Sequence, residues 1–240
     1  MSGAAHAAGS PPCRRVIFNA DDFGASQGIN RGIVEAHTRG VLRSASLMMV
    51  RPALAHALEL IREHRTLDVG LHWDIEGEQD SLGIDAEDVE AVRAELVRQL
   101  EDFTRLVGRP PTHLDSHHHV HREEHLRSVF AELAASVGAP LRDDGTVAYV
   151  SGFYAQWEWK VTNLEYVSFE FLAGLLRREV RAEWTEIGCH PGYRTEGFHS
   201  VYDAEREAEL QTLTDPRLPE AISGAGLELA SFADLPRAGG

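Results

Sequence analysis

From residue 14 onward, apolar runs of strand length alternate with segments whose apolar residues recur every three or four positions. That alternation constrains the fold more than any other feature, because strands separated by helices of this length pair in parallel and need helices to cover the sheet. The first run, Val16-Ile17-Phe18, ends in Asn19-Ala20-Asp21-Asp22-Phe23-Gly24. Ile29, Ile33 and Ala36 then lie on one helical face, with Gly40 as the stop. Val41–Val50 reads as a strand, and Pro52 as the start of a helix carrying Leu54, Leu58 and Ile61.

The same pattern continues to the end. Leu67–Trp73 is a strand, and Val89, Val92, Leu96, Leu100 and Phe103 line a long helix ended by Gly108. Thr112–Ser116 is a short strand that empties into a histidine run, followed by a helix from Leu126 to Val137 capped by Gly138. Residues 145–167 read as neither element, yet are too aromatic for a solvated linker. A helix over Phe169–Ala182, a strand around Glu186–His190, a helix near 203–213 and a strand Leu227–Phe232 complete the chain. About seven such units predict an α/β fold, a complete or slightly opened (β/α) barrel in a single domain over 14–240. Residues 1–13 read as a frayed tail and not a signal peptide, since they lack a basic start and an apolar stretch.

Charge and cysteine content narrow the partners. A net charge of −15 argues against nucleic acid and anionic membrane, and no run approaches 18 apolar residues. Two distant cysteines, Cys13 and Cys189, cannot make a disulfide framework, which predicts a cytoplasmic setting.

Four strands end in groups able to bind a cation or move a proton: Asp21/Asp22, His72, the Asp115–His121 run and His190. In a parallel barrel such ends converge on one mouth. A carboxylate with two imidazoles is a usual ligand set for a catalytic divalent ion. If the chain is extended, Asp21 and Asp22 point opposite ways, one to a metal and one beside it. By the same rule His117 and His119 share a face with Asp115, while His118 points away. Residue type alone leaves open which aspartate, and which of His117 and His119, holds the metal. It equally allows turn chemistry for the Asp pair and a core role for His72.

N-A-D-D-F-G, G-L-H at 70–72, P-T-H-L-D-S-H-H-H-V-H at 111–121, C-H-P at 189–191 and the ending G-L-E-L-A-S-F resemble the YdjC/ChbG-type carbohydrate deacetylases. The resemblance covers about residues 15–235. It implies a distorted (β/α) barrel that removes acetyl groups from N-acetylated sugars with a divalent metal. Carried over by position, it makes Asp22, His72 and His117 the metal ligands, Asp21 the general base and His190 the general acid. It also implies a homodimer. Zinc, magnesium and cobalt all suit the donors.

Around that set, Asp115 is expected to fix a histidine on its own face, and His119 to do likewise or line the pocket. Arg142 is expected to orient Asp21, to bind substrate, or to be a plain surface arginine. Tyr154, Trp157 and Trp159 form either a stacking platform for a sugar or packing in the core or at a subunit interface. Trp73-Asp74-Ile75 and the 145–167 segment depart from the family pattern, which bears on substrate and not on reaction. The rival readings are a metal-dependent phosphoesterase-like hydrolase and a non-catalytic sugar-binding protein on the same fold. The first lacks a Gly-rich phosphate loop or a Lys/Arg cluster beside the histidines.

Overall fold

A computed structural model describes residues 13–77, 81–198 and 200–236; most of the expected N-terminal tail, residues 1–12, lies outside the described residues. The strands are β1 (Arg14–Phe23), β2 (Ser44–Leu47), β3 (Asp68–Trp73), β4 (Leu114–Ser116), β5 (Ala148–Val150), β6 (Trp184–Cys189) and β7 (Leu227–Ala230). The helices are α1 (Gln27–Arg39), α2 (Leu54–Glu63), α3 (Val89–Val107), α4 (Arg127–Val137), α5 (Phe169–Arg178), α6 (Asp203–Leu213) and α7 (Leu218–Gly224). All pairings among the named strands are parallel, in the order β4-β3-β2-β1-β6-β5, and β7 pairs with the start of β1.

The sheet has to curl. Leu141 makes a parallel bridge with Leu114 beyond β4, and by residue 148 the chain is in β5 at the opposite edge. Seven residues span at most about 25 Å, whereas six strand spacings across a flat sheet come to about 29 Å. Rolling the sheet into an opened barrel removes the shortfall.

Parallel register gives the rolled sheet an inner face in layers. Ile17, Val147, Trp184, Ala230 and Phe232 form an apolar plug at its base. Above them Asn19, Ser46, His113, Asp115 and Glu186 interlock through hydrogen bonds. The outer face, with Val16, Phe18 and Ala20, packs into the main core under the helices. Gly70 is required on the inner face because a Cβ there would come within 2.5 Å of the His113 ring.

Helix ends follow their local chemistry. Ser26 caps α1 by accepting the Ile29 N–H, and Gly138 closes α4 in the left-handed region at φ 65°. Several elements are shorter than their patterns suggest. Val41–Val50 contributes only Ser44–Leu47 as strand, since at its start the Val41 and Leu42 N–H groups donate to Leu213 and Ala36 instead of a neighbouring strand, and after Met48, which donates to Phe23, the chain turns away. The helix after Pro52 starts at Leu54, that after Ser168 stops at Arg178, and the last strand stops at Ala230. Residues 145–167 hold β5 and a short 3-10 turn, Leu164–Val167.

Candidate metal centre and catalytic cavity

β1 delivers both adjacent carboxylates to the same cavity, against the alternation expected of an extended chain. Its register with β2 shifts between Ala20 and Phe23, and Asp22 takes a left-handed φ of 68°. That bulge rotates Asp22 back toward the mouth beside Asp21. Holding a non-glycine residue there costs on the order of 1 kcal/mol, and the surrounding bonds sustain it.

Asp22 Oδ1 lies 3.6 Å from His72 Nε2 and 3.3 Å from His117 Nδ1. Ligand atoms from these three residues all fall within 4.8 Å of one another. A tetrahedral zinc-type ion with bonds of about 2.1 Å separates its ligands by about 3.4 Å, so these residues fit a divalent cation. Asp22 Oδ2 is taken by Arg206, 2.5 Å away, which leaves a single oxygen facing the imidazoles. The carboxyl is held well below its ordinary range: burial opposes ionisation, and Arg206 with His117 outweighs it.

His72 pairs in register with Asp115, and its Nδ1 sits 2.7 Å from Asp115 Oδ1. With Nδ1 engaged there, Nε2 is the nitrogen turned toward Asp22. Asp115 thus fixes a histidine on the neighbouring strand, not one further along its own chain. Burial pushes His72 down, but Asp115, helped by Asp21 and Asp22, raises it to about 9.

Beyond Ser116 the chain is not extended. His117–Arg122 winds into a 3-10 turn in which His118 and His119 are both left-handed, at φ 51° and 56°. His117 therefore faces Asp22 alone. His119 does not share its direction: it lies edge-on to Tyr149, with ring centroids 5.8 Å apart, and lines the cavity. Burial and Arg142 lower His119 to about 3.

Asp21 is gripped by the Arg142 guanidinium in a two-pronged bond, both contacts at 2.8 Å. Arg142 is buried, so the surface reading fails, and it reaches Asp115 at 2.8 Å and Glu186 at 2.5 Å as well. Burial would raise Asp21; Arg142 outweighs it and keeps the carboxyl below its usual range. Glu186 goes the other way, its burial raising it to about 7.

On the other wall, His190 Nε2 lies 3.9 Å from Asp21 Oδ2. Its backbone N–H donates to Glu209 at 2.5 Å, and Tyr202 Oη donates to the same carboxylate at 2.7 Å. Burial holds His190 at about 4 and raises Glu209 to about 8. Tyr154 stacks on Tyr202 at 4.8 Å and meets Trp157 edge-on at 5.9 Å. Trp157 and Trp159 also line the cavity of about 770 Å³, 58% and 76% exposed, so neither is core.

Arg206, Glu209, Glu186 and Tyr202 were not among the residues expected at the site. Glu186 had a readable signal, a lone charge inside the buried strand Trp184–Cys189. α6 gave none by periodicity, since it buries charged Glu205, Arg206 and Glu209.

A curled parallel sheet that brings Asp22, His72 and His117 together, with Asp21 and His190 alongside, defines a barrel protein equipped for a divalent cation at its mouth. More narrowly, the chain belongs to the YdjC-like protein family, whose pattern matches residues 15–224. It is 34% identical to a chitooligosaccharide deacetylase of Serratia marcescens over 257 residues, covering 92% of this chain and 98% of that one. It is 32% identical to a carbohydrate deacetylase of Clostridium beijerinckii, covering 92% and 100%. A crystal structure from Enterococcus faecalis V583, named for cellobiose-phosphate cleavage, superposes with a TM-score of 0.76 at 27% identity, covering 92% and 98%. The Bc1960 peptidoglycan N-acetylglucosamine deacetylase shares the fold, with a TM-score of 0.55 at 12% identity, covering 92% and 87%. Among the described residues no helix is long and apolar enough to cross a membrane.

Proposed function

We propose that the chain hydrolyses the N-acetyl amide of an amino sugar or short N-acetylated oligosaccharide, with Asp21 as base, His190 as acid and a divalent cation on Asp22, His72 and His117. The arrangement that carries this reading is the pair of adjacent carboxylates with different partners. Asp22 faces two imidazoles, while Asp21 is braced by Arg142 and points toward His190. A binding protein needs no such division.

A cation held there supplies Lewis acidity, polarising the acetyl carbonyl and making nearby water easier to deprotonate. Asp21, kept ionised by Arg142, takes a proton from the water as its oxygen bonds to the carbonyl carbon. His190 is neutral at pH 7, so it must acquire the proton it donates, and its Nε2 faces Asp21. The proton passes from Asp21 to His190 and on to the sugar nitrogen as the carbon–nitrogen bond breaks. Acetate and a free amine leave.

A phosphoesterase reading is disfavoured by charge. The arginines lining the cavity are already matched: Arg51 with Asp74, Arg122 with Asp143 and Arg206 with Asp22. None is left over for a phosphate. The names of the relatives support a carbohydrate substrate; the family resemblance suggests a homodimer, and the two distant cysteines a cytoplasmic setting.

The test is acetate release from a panel of N-acetyl sugars and oligosaccharides by chelator-stripped protein, with zinc, magnesium or cobalt added back. We expect metal-dependent acetate from at least one sugar. No acetate from any sugar with any metal, or release of phosphate from phosphoesters instead, overturns the reading.

A further inference from the structure

We propose that the mouth of the cavity holds a second, weaker cation site, built from Glu76 and His118 and borrowing His117, that takes zinc-like ions rather than magnesium. The deacetylation chemistry leaves His118 without a task, although it lines the cavity. Its Nδ1 lies 3.1 Å from Glu76 Oε2 and 3.2 Å from Oε1. Its ring lies on that of His117, with centroids 3.9 Å apart and planes 28° apart. One donor atom from each of Glu76, His117 and His118 falls within 4.8 Å of the other two. This is again one carboxylate with two imidazoles, the donor set of the inner cluster, and His117 belongs to both.

An exposed His–Glu ion pair would explain the short contact, but such pairs contribute at most about 1 kcal/mol. It leaves the backbone unexplained. Two consecutive non-glycine residues, His118 and His119, occupy the left-handed region, at on the order of 1 kcal/mol each. That conformation turns the His118 ring onto His117 and toward Glu76.

Glu76 is placed independently of His118: its N–H donates to Asp74 Oδ1, and Asp74 is held by Arg51 and Gln99. Among the described residues it has no arginine or lysine partner.

Two imidazoles favour zinc, nickel or cobalt over magnesium, which prefers oxygen ligands and retained water. The outer set is the more exposed, with the His118 side chain at 63% and Glu76 at 39%. Serving both ions takes both ring nitrogens of His117, so the second ion binds only as the remaining ring proton is released to solvent, and it binds more weakly. Its occupant lies across the entrance and draws on His117, so excess zinc lowers turnover where excess magnesium does not.

The proposal is independent of which bond the enzyme cleaves, because its test counts bound ions. Chelator-stripped protein is dialysed to equilibrium against zinc, and separately against magnesium, alongside the variants Glu76→Gln and His118→Asn. Asparagine is chosen because it tolerates the left-handed backbone. Wild type is expected to bind two zinc ions per chain, the second at least tenfold more weakly, and no second magnesium. Each variant is expected to lose the weaker zinc and keep the stronger with unchanged affinity, which also reports that it is folded. A single zinc in wild type, a second magnesium, a weaker zinc retained in either variant, or loss of both zinc ions together overturns the proposal.

Discussion

The inner wall of the cavity and its rim stand under opposite physical conditions. On the wall, Asp21, Asp22, His72, Asp115 and Arg142 are all buried, and each touches at least one of the others. On the rim, His118, Trp157 and Trp159 are largely exposed and lean on one or two neighbours. A buried charge is tolerated only when paired, and removing one partner typically costs about 3–5 kcal/mol. The wall can therefore hold few alternatives, whereas the rim can change at little cost to folding. The difference teaches where each region tolerates change, and under the proposed function it assigns the reaction to the wall and the choice of substrate to the rim.

The sharpest way to break that division is Asp21→Asn. The amide keeps the shape and its oxygen can still accept one bond from Arg142, which retains Asp115 and Glu186 as charged partners, so the fold and the Asp22 cluster should persist. It cannot take a proton, and kcat should fall by about 10²–10⁴-fold while bound metal stays at the wild-type level. Steady-state kinetics with metal analysis on the same sample checks this. Near-normal turnover would move the base elsewhere on the wall.

A smaller effect is expected one step behind the ligands. Asp115→Asn removes the charge that orients His72, and a partner of this type is worth about 10–100-fold in metal affinity. Competition with a chelator at fixed pH measures it. Unchanged affinity would show that Asn19, Ser46 and Arg142 alone hold the strand tips in place.

These wall residues were also the legible part of the chain. Strand and helix periods located β1, β3 and α3 to within a few residues, because each buries one continuous apolar face. Asp22, His72 and His117 were identified through motif resemblance, and the structure does bring them together. Alternation along an extended strand could not show it, because the bulge at Asp22 and the left-handed turn at His118 and His119 break the period of two. Arg206 and Glu209 escaped notice for another reason. Their helix is polar on the side it buries, so the pattern that normally marks an inward face is inverted. The chemistry of α6 becomes readable only once Asp22 and His190 are known to lie beneath it.

The rim offers the smallest effect and the one best suited to sharpen the comparison. Trp157 and Trp159 lie on either side of Glu158 at a tight turn closed by Val161 N–H to Glu158 O, and both line the cavity. If they carry a sugar ring, Trp157→Ala and Trp159→Ala should each raise KM several-fold, in line with about 0.5–1.5 kcal/mol for an aromatic contact, and leave kcat nearly unchanged. The effect should be larger on an oligosaccharide than on a monosaccharide, because a single acetylated ring seated at Asp21 has no second ring to place on the turn. If instead the two indoles cover a subunit interface, KM should hold, and the oligomeric state by light scattering should change. Both variants remove exposed surface and disturb no buried charge, so unfolding temperatures should match wild type. A drop in stability as large as that of a wall substitution would show that the turn belongs to the braced part of the molecule after all.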